Sequence, residues 1–165
     1  MQRAKLFGLS LTIILAAASA VTRGETPSAA SNPLLGTWTY VAEGSKFDGR
    51  QPYQGAVITF TAEAGGTRMI EEVITANGAK FRIEYLDPQD GTFVSVKGNP
   101  YYDSQSTTWT APRVATRKER RAGRDIGTTV MTVAADGKSF IADASRIVPQ
   151  GTVYKAYVVW RRVDP

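Results

Sequence analysis

The sequence predicts an all-β protein, a single antiparallel up-and-down β-barrel of about 8–10 strands. From Pro33 onward, short segments that alternate apolar and polar residues recur between turn residues, about every 8–12 residues. No segment shows the period of an amphipathic helix. The connecting segments are too short for crossover helices, so we expect consecutive strands to pair antiparallel.

Five predicted strands precede a break at Gly98-Asn99-Pro100. They comprise residues 36–41, 56–63, 67–76, 80–86 and 92–97. Asn77-Gly78 indicates a hairpin, because both central residues of a type I′ turn need positive φ. In the next strand, Phe81, Ile83 and Tyr85 alternate with charged residues, which predicts one buried face and one exposed face.

Five more predicted strands follow the break, at residues 106–110, 116–121, 125–134, 139–148 and 152–163. Ala122-Gly123 and Asp136-Gly137 mark two of the turns between them. A meander whose first and last strands pair has no free edge, and this favours closure into a barrel.

The N-terminus has the pattern of a cleaved signal peptide, residues 1–20. Arg3 and Lys5 precede a short apolar run, Leu6 to Ala18, and Ala18-Ser19-Ala20 matches a small-x-small cleavage site. The run is shorter than the roughly 20 residues that span a bilayer. We therefore expect a secreted or periplasmic protein that does not span the membrane.

Residues 21–32 are rich in Ser, Ala and Thr and contain almost no large apolar side chains. They are predicted to form a flexible lead, because they cannot bury enough surface to offset their ordering entropy. The remaining residues, 33–165, have the length of one barrel domain.

Composition excludes several classes of function. The chain carries 20 Lys and Arg against 15 Asp and Glu, and its net charge falls from +5 to +3 without Arg3 and Lys5. This mild charge predicts no nucleic-acid partner. The chain has no Cys and no His, which removes thiolate chemistry, the commonest general base and the commonest metal ligand. We expect no cofactor and no metal.

Short motifs spread along the chain carry a family resemblance. They are Asn32-Pro33-Leu34-Leu35-Gly36-Thr37-Trp38, Ser45-Lys46-Phe47, Gly98-Asn99-Pro100 and Asp136-Gly137-Lys138. Together with an aromatic and basic last strand, they resemble exported bacterial lipocalin-like proteins. The resemblance covers nearly all of the predicted mature chain and implies a fold and export rather than a reaction.

Gly36-Thr37-Trp38 is also similar to the G-x-W opening of lipocalins, fatty-acid-binding proteins and avidins. In those barrels the Trp closes one end and packs against a basic residue near the last strand. The resemblance implies that Gly36 and Trp38 close the barrel here, with Arg161, or its neighbour Arg162, stacking on the indole. Alternatively, Trp38 is an ordinary core aromatic.

The segment Arg113 to Arg124 contains six basic residues and one acid, Glu119. Strand alternation places Arg117 and Arg121 on the same face. Three interpretations stay open: a charged edge strand that prevents strand addition, a basic surface for an acidic partner, or an arginine that enters the cavity and holds an anionic ligand. Fatty-acid-binding barrels use Arg with Tyr in the third way.

Glu71-Glu72 lies in mid-strand, so alternation directs one carboxylate inward unless a bulge lets both face water. We take Glu71 as a candidate ligand-binding residue that could pair with an arginine or act as an acid or base. The remaining candidates for the wall of a pocket are aromatic or aliphatic: Phe81, Ile83, Tyr85, Trp109, Tyr154 and Trp160. Tyr101-Tyr102 is expected at an exposed barrel mouth.

The leading hypothesis is a non-enzymatic binding protein that holds a small apolar or amphipathic molecule in the barrel, anionic if an arginine enters. The alternative is an envelope interaction or scaffold domain that acts through a basic outer surface. A third hypothesis is a cofactor-free isomerase or cyclase. A cavity of at least ~300 Å³ would favour the first and a solid core the second, whereas an enzyme should place Glu71 or Glu72 in the cavity beside a Tyr.

Overall fold

The computed structural model describes residues 32–48, 53–148 and 150–163. Most of these residues lie in strands whose side chains alternate between the two faces of a sheet. These residues contain no helix, and their strands are β1 (Gly36–Phe47), β2 (Gly55–Glu63), β3 (Gly66–Ile74), β4 (Lys80–Asp87), β5 (Val94–Ser95), β6 (Ser104–Ala111), β7 (Val114–Arg121), β8 (Arg124–Val133), β9 (Ser139–Ile147) and β10 (Val153–Arg162). The predicted all-β, up-and-down antiparallel fold is confirmed.

The sheet closes between the first and last strands, as predicted. Its order is β4-β3-β2-β1-β10-β9-β8-β7-β6-β5, so β1 pairs with β10 and the sheet's two ends lie in mid-chain. Those ends are joined by one bridge, in which Glu84 and Lys97 exchange backbone hydrogen bonds of 3.0 and 2.9 Å. The result is a nearly closed barrel of ten described strands.

The short strand β5 is the main departure from the predicted elements, because residues 92–97 were expected to form a full strand. Asp90 bridges to Thr108 in β6, whereas Lys97 bridges to Glu84 in β4. The segment crosses from one neighbour to the other and keeps a ladder with β6 only at Val94 and Ser95.

Aromatic side chains fill the end of the barrel that we call the base, where β1 begins and β10 ends. Trp38 is fully buried and meets Phe140 edge to face, with ring centroids 4.9 Å apart. Phe140 in turn stacks on Trp160 at 5.7 Å. Aromatic pairs of this geometry stabilise a core by about 0.5–1.5 kcal/mol beyond their burial.

Arg162 covers this aromatic cluster, and this corrects the expectation that Arg161 does so. The Arg162 guanidinium lies 4.0 Å from the centroid of the Trp38 ring and donates to the carbonyls of Pro33, Leu35 and Gly137. Arg161 is exposed, because alternation along β10 turns it outward.

Gly36 makes room for that guanidinium. Its φ is +114°, and a Cβ at this position would lie 2.5 Å from Nη1 of Arg162. The G-x-W motif therefore leaves space for the arginine and supplies the indole on which the arginine packs.

Asn32 belongs to the fold, although it was predicted to end the flexible lead. Its side-chain amide donates to Thr67 Oγ1 and Gln89 Oε1, both at 3.0 Å, and its Oδ1 accepts from the Leu34 amide at 2.9 Å. The predicted signal peptide, residues 1–20, and residues 21–31 of the lead lie outside the described residues.

In the described part of the chain, no helix has the length and apolar character needed to cross a membrane.

The contacts of Arg162 at the base predict that two adjacent arginines differ in their effect on stability. Arg162→Ala removes the contact with Trp38 and three hydrogen bonds to backbone carbonyls, so we expect unfolding free energy to fall by about 2–4 kcal/mol. Arg161→Ala is the matched control and should change it by less than about 0.5 kcal/mol. Urea unfolding followed by tryptophan fluorescence measures both, and equal effects would contradict the assignment.

Candidate ligand-binding site

The barrel encloses a cavity of about 90 Å³ between the aromatic base and the opposite end, which we call the mouth. Towards the base its walls are aromatic and aliphatic, and they include Phe60, Met69, Phe140 and Trp160. Towards the mouth its walls carry charged and phenolic groups, chiefly Glu71, Arg117, Arg146, Tyr53 and Tyr154. The interior is therefore amphipathic along the barrel axis.

A loop between β5 and β6 covers part of the mouth. Asn99 Oδ1 accepts hydrogen bonds from the Tyr101 and Tyr102 amides at 2.8 and 3.3 Å, which holds the loop in a tight turn. Both tyrosines line the cavity, and Tyr102 is only 3% exposed. The expectation of an exposed tyrosine pair at the mouth is therefore wrong for Tyr102, which points into the barrel.

Glu119 is the most buried charged side chain near the cavity, with no exposed surface. Arg146 Nε approaches its carboxylate to 2.6 Å, Arg117 Nη2 to 3.2 Å, and Thr129 Oγ1 donates to it at 3.0 Å. We call these four residues the Glu119 cluster. They lie on the adjacent strands β7, β8 and β9, whose inward faces meet at this height.

The cluster keeps Glu119 ionised. Burial alone would raise the pKa of this carboxyl, but Arg117, Arg146 and the hydrogen bonds from Arg146 and Thr129 hold the pKa below its usual value. An isolated buried carboxylate would be costly, and two guanidinium groups offset that cost here.

Arg117 is incompletely satisfied by its neighbours. Its Nε is buried and has no hydrogen-bond partner among the described residues. Its contacts with the Tyr85 hydroxyl and Thr129 Oγ1 are long, both 3.4 Å. Arg117 lines the cavity, and its guanidinium keeps unused donor capacity that an anionic group could use.

Glu71 is the inward member of the Glu71-Glu72 pair. It lines the cavity, whereas Glu72 is exposed and lies 3.4 Å from Nη1 of Arg82 on the outer surface. Burial raises the pKa of Glu71 to about 7, although Arg117 and Arg146 favour its ionised form. No cation of the described residues lies within 4 Å of its carboxylate, so its charge changes near neutral pH.

The charge of the cavity follows from these groups. With Glu71 protonated, Arg117, Arg146 and Glu119 leave a net charge of +1. With Glu71 ionised, the four groups sum to zero. The site therefore attracts an anion most strongly when Glu71 is neutral.

A second, open groove of about 590 Å³ continues from the cavity at the mouth. Tyr53, Tyr101, Arg146 and Tyr154 line both spaces. The groove and the cavity together form one path from the outside to the aromatic base, with Arg146 at the junction.

Six of the predicted ligand-binding residues lie on the cavity wall: Glu71, Phe81, Ile83, Arg117, Tyr154 and Trp160. The other three do not. Tyr85 is buried behind Arg117 and reaches it through the hydroxyl. Trp109 is buried towards the base, where its Nε1 donates to Gln89 at 3.1 Å. Arg121 ends β7 beyond the wall, and its exposed guanidinium donates to the carbonyls of Pro100 and Tyr101.

Sequence reasoning missed Arg146 and the role of Glu119. The pattern Phe140-Ala142-Ala144-Arg146 has period two, so the inward Phe140 already assigns Arg146 to the same face. Because Asp and Glu are rarely buried without partners, the single acid among six cations was also a usable sign of a buried ion pair. No group of three acidic side chains suited to a metal ion occurs in the described residues.

No protein-family model matches the sequence, and no curated protein matches it. Among solved structures, a similar chain is the zebrafish ileal bile acid-binding protein complexed with cholic acid. The sequences are 7% identical, the match covers 79% of this chain and 99% of that chain, and the TM-score is 0.47. The chemistry of the site is therefore interpreted from its own residues.

Proposed function

We propose that this chain is an exported, non-enzymatic binding protein that holds a small amphipathic molecule with an anionic group. The observation that carries the proposal is the convergence of Arg117 and Arg146 on a cavity that is apolar towards the base. The anionic group would lie against the two arginines, and the apolar part would point towards Phe60 and Trp160.

The size of the cavity limits how the ligand is placed. At about 90 Å³ it lies well below the roughly 300–1,000 Å³ typical of small-molecule sites, and below the ~300 Å³ expected of a binder. The ligand must therefore extend into the mouth groove, or the loop that carries Tyr101 and Tyr102 must move outward when it binds. Both arrangements leave the arginines at the junction in contact with the ligand.

The exported location in this proposal is supported by the sequence alone. The positive residues Arg3 and Lys5, the apolar run and Ala18-Ser19-Ala20 form a complete cleavage pattern. The motifs shared with exported bacterial lipocalin-like proteins support the same compartment.

Acid–base catalysis is a second candidate, favoured by one observation. Glu71 lies in the cavity with a pKa of about 7. Burial raises the pKa of the nearby Tyr53 phenol, and the charge of Glu71 raises it further. A carboxyl that titrates near neutral pH is suited to proton transfer. Native mass spectrometry of protein recovered from its own host identifies the bound molecule. Incubating an excess of that molecule with the protein then separates the two functions, because an enzyme converts it and a binder leaves it unchanged.

Removing Arg117 should weaken binding of an amphipathic carboxylate by more than about tenfold, because the charged anchor is lost. The probe is a dansyl-labelled undecanoic acid, with the uncharged amide of the same chain as the comparison. Fluorescence titration of Arg117→Ala and wild type measures the loss, which should be absent for the amide.

Lys118→Ala is the matched control for that experiment, since Lys118 is the exposed neighbour on the outer face of β7. Circular dichroism checks that each variant retains its strands. An unchanged carboxylate affinity in a folded Arg117→Ala variant would refute the anionic site.

Carboxylate binding should weaken as pH rises through the pKa of Glu71. If the ligand prefers the form with neutral Glu71, affinity falls by about tenfold between pH 6 and pH 8, while the ligand itself stays ionised. Glu71→Gln should keep the high affinity at both values. The same titration in two buffers measures this, and an equal pH dependence in Glu71→Gln would contradict the role of Glu71.

Stability gives an independent control on that titration. Because the pKa of Glu71 is raised in the folded state, its burial costs stability that grows as pH rises from about 4.5 to about 7. Glu71→Gln should therefore gain stability relative to wild type over this range, with or without ligand.

Cleavage of the leader is tested by intact mass. Protein recovered from the exported fraction of cells that express the full chain should begin at Val21, since the predicted cleavage site follows Ala20. Ala18→Arg should block the cleavage and retain the longer chain. A full-length mass for the exported wild type would contradict the signal peptide.

A further inference from the structure

Two hairpins stand side by side at the mouth of the barrel, β7–β8 and β9–β10. They are adjacent because β8 pairs with β9 along most of its length. Arg121 and Arg124 flank the turn of the first hairpin. Ile147 and Val153 are paired across the base of the second hairpin's turn.

The second hairpin exposes aliphatic side chains that the barrel does not need for its core. Ile147 is 51% exposed and Val153 is 52% exposed, the two highest values among the large apolar residues described. Ile126 on the first hairpin lines a surface groove with Ile147. Exposed aliphatic side chains indicate an interaction site only when they lie together and a second feature accompanies them.

Arg121 and Arg124 line the same groove as Ile126 and Ile147, and Val153 adjoins this surface as the strand partner of Ile147. We call Arg121, Arg124, Ile126, Ile147 and Val153 the mouth rim. Neither arginine has an acidic partner in the described part of the chain.

Two acids lie beside the turn of the first hairpin. Asp125 pairs with Arg120 at 2.5 Å, whereas Asp103 accepts a hydrogen bond from the Ala122 amide at 2.7 Å, which carries no charge to offset the carboxylate. Arg121 and Arg124 against Asp103 leave a net charge of +1, so the rim presents positive charge together with exposed aliphatic side chains.

We propose that the mouth rim docks on an anionic lipid bilayer surface. Basic residues near such a surface are attracted to its headgroups, and adjacent aliphatic side chains gain free energy by entering the headgroup region. A hydrophilic polyanion would use the arginines but would leave Ile147 and Val153 exposed to water. The combination on one rim therefore fits a membrane surface better than a soluble polymer.

Docking in this orientation places the mouth groove against the lipid. Arg121 also donates to the carbonyls of Pro100 and Tyr101, so the rim contacts the loop that covers the cavity. This inference concerns the outer surface and does not depend on a ligand inside the barrel.

Vesicle flotation tests the proposal with protein recovered from the exported fraction of cells that express the full chain. Wild type should float with mixed phosphatidylcholine–phosphatidylglycerol vesicles and remain unbound with pure phosphatidylcholine vesicles. Arg121→Gln/Arg124→Gln should lower the partition coefficient by about tenfold or more. Ile147→Ser/Val153→Ser should lower it by roughly tenfold as well, because the inserted apolar area is lost.

Matched controls alter the same residue types away from the rim. Arg161→Gln changes an exposed arginine near the base, and Val130→Ser changes an aliphatic residue, 37% exposed, on the outer face of β8. Both should bind within about twofold of wild type. Circular dichroism and thermal unfolding confirm that the rim variants fold, and Arg124→Gln alone serves if a double variant does not.

Three outcomes would overturn the proposal. The first is equal binding to neutral and anionic vesicles, and the second is rim variants that bind as wild type does. The third is loss of binding in the arginine variant alone, with full competition by soluble polyphosphate, which would assign the rim to a polyanion. Each outcome leaves carboxylate binding inside the barrel to be judged separately.

Discussion

A carboxylate shielded completely from water lies inside this barrel, and the need to compensate it constrains three adjacent strands. Glu119 and Arg117 come from β7, Thr129 from β8 and Arg146 from β9. Removing one partner of such a group leaves an uncompensated buried charge, at a cost of about 3–5 kcal/mol. The register of these strands is therefore fixed by charge as well as by apolar burial. The same register brings both arginines to the cavity wall, so the interaction that specifies the fold also forms the candidate site.

The barrel separates two kinds of interior along its axis. At the base, Trp38, Phe140 and Trp160 pack as an aromatic core beneath the guanidinium of Arg162. At the mouth, polar groups meet a cavity that opens into a groove. Apolar packing supplies stability without a ligand, whereas partly satisfied donors such as those of Arg117 leave interaction capacity unused. The base therefore contributes stability alone, whereas the mouth combines the ion pairs that fix strand register with donors that are still free to bind.

The fold was largely predictable because alternation has a fixed period, and most strands were located to within a few residues. The site was predictable only in part. Glu71 and Arg117 were identified because a charged residue in mid-strand conflicts with a buried face. Arg146 was missed, although the same reasoning would have predicted it. Arg162 rather than Arg161 stacks on Trp38 because Arg162 lies two residues after the inward-facing Trp160 on β10 and so shares its face. The burial of Tyr102 depends on a loop, and Arg121 lies at a strand end, where alternation no longer decides direction.

The weakest junction of the barrel lies between β4 and β5, which one bridge joins, whereas the first and last strands of the chain pair along a long ladder. The sheet's two ends are β4 and β5, so no long ladder joins these two strands. The chain between them could be cut without separating any pair of long strands. Asn32 and Val163 both lie at the base, where Val163 bonds to Thr37. A circular permutant that joins these ends and begins at β5 would therefore retain each ladder, as a linear meander from β5 to β4.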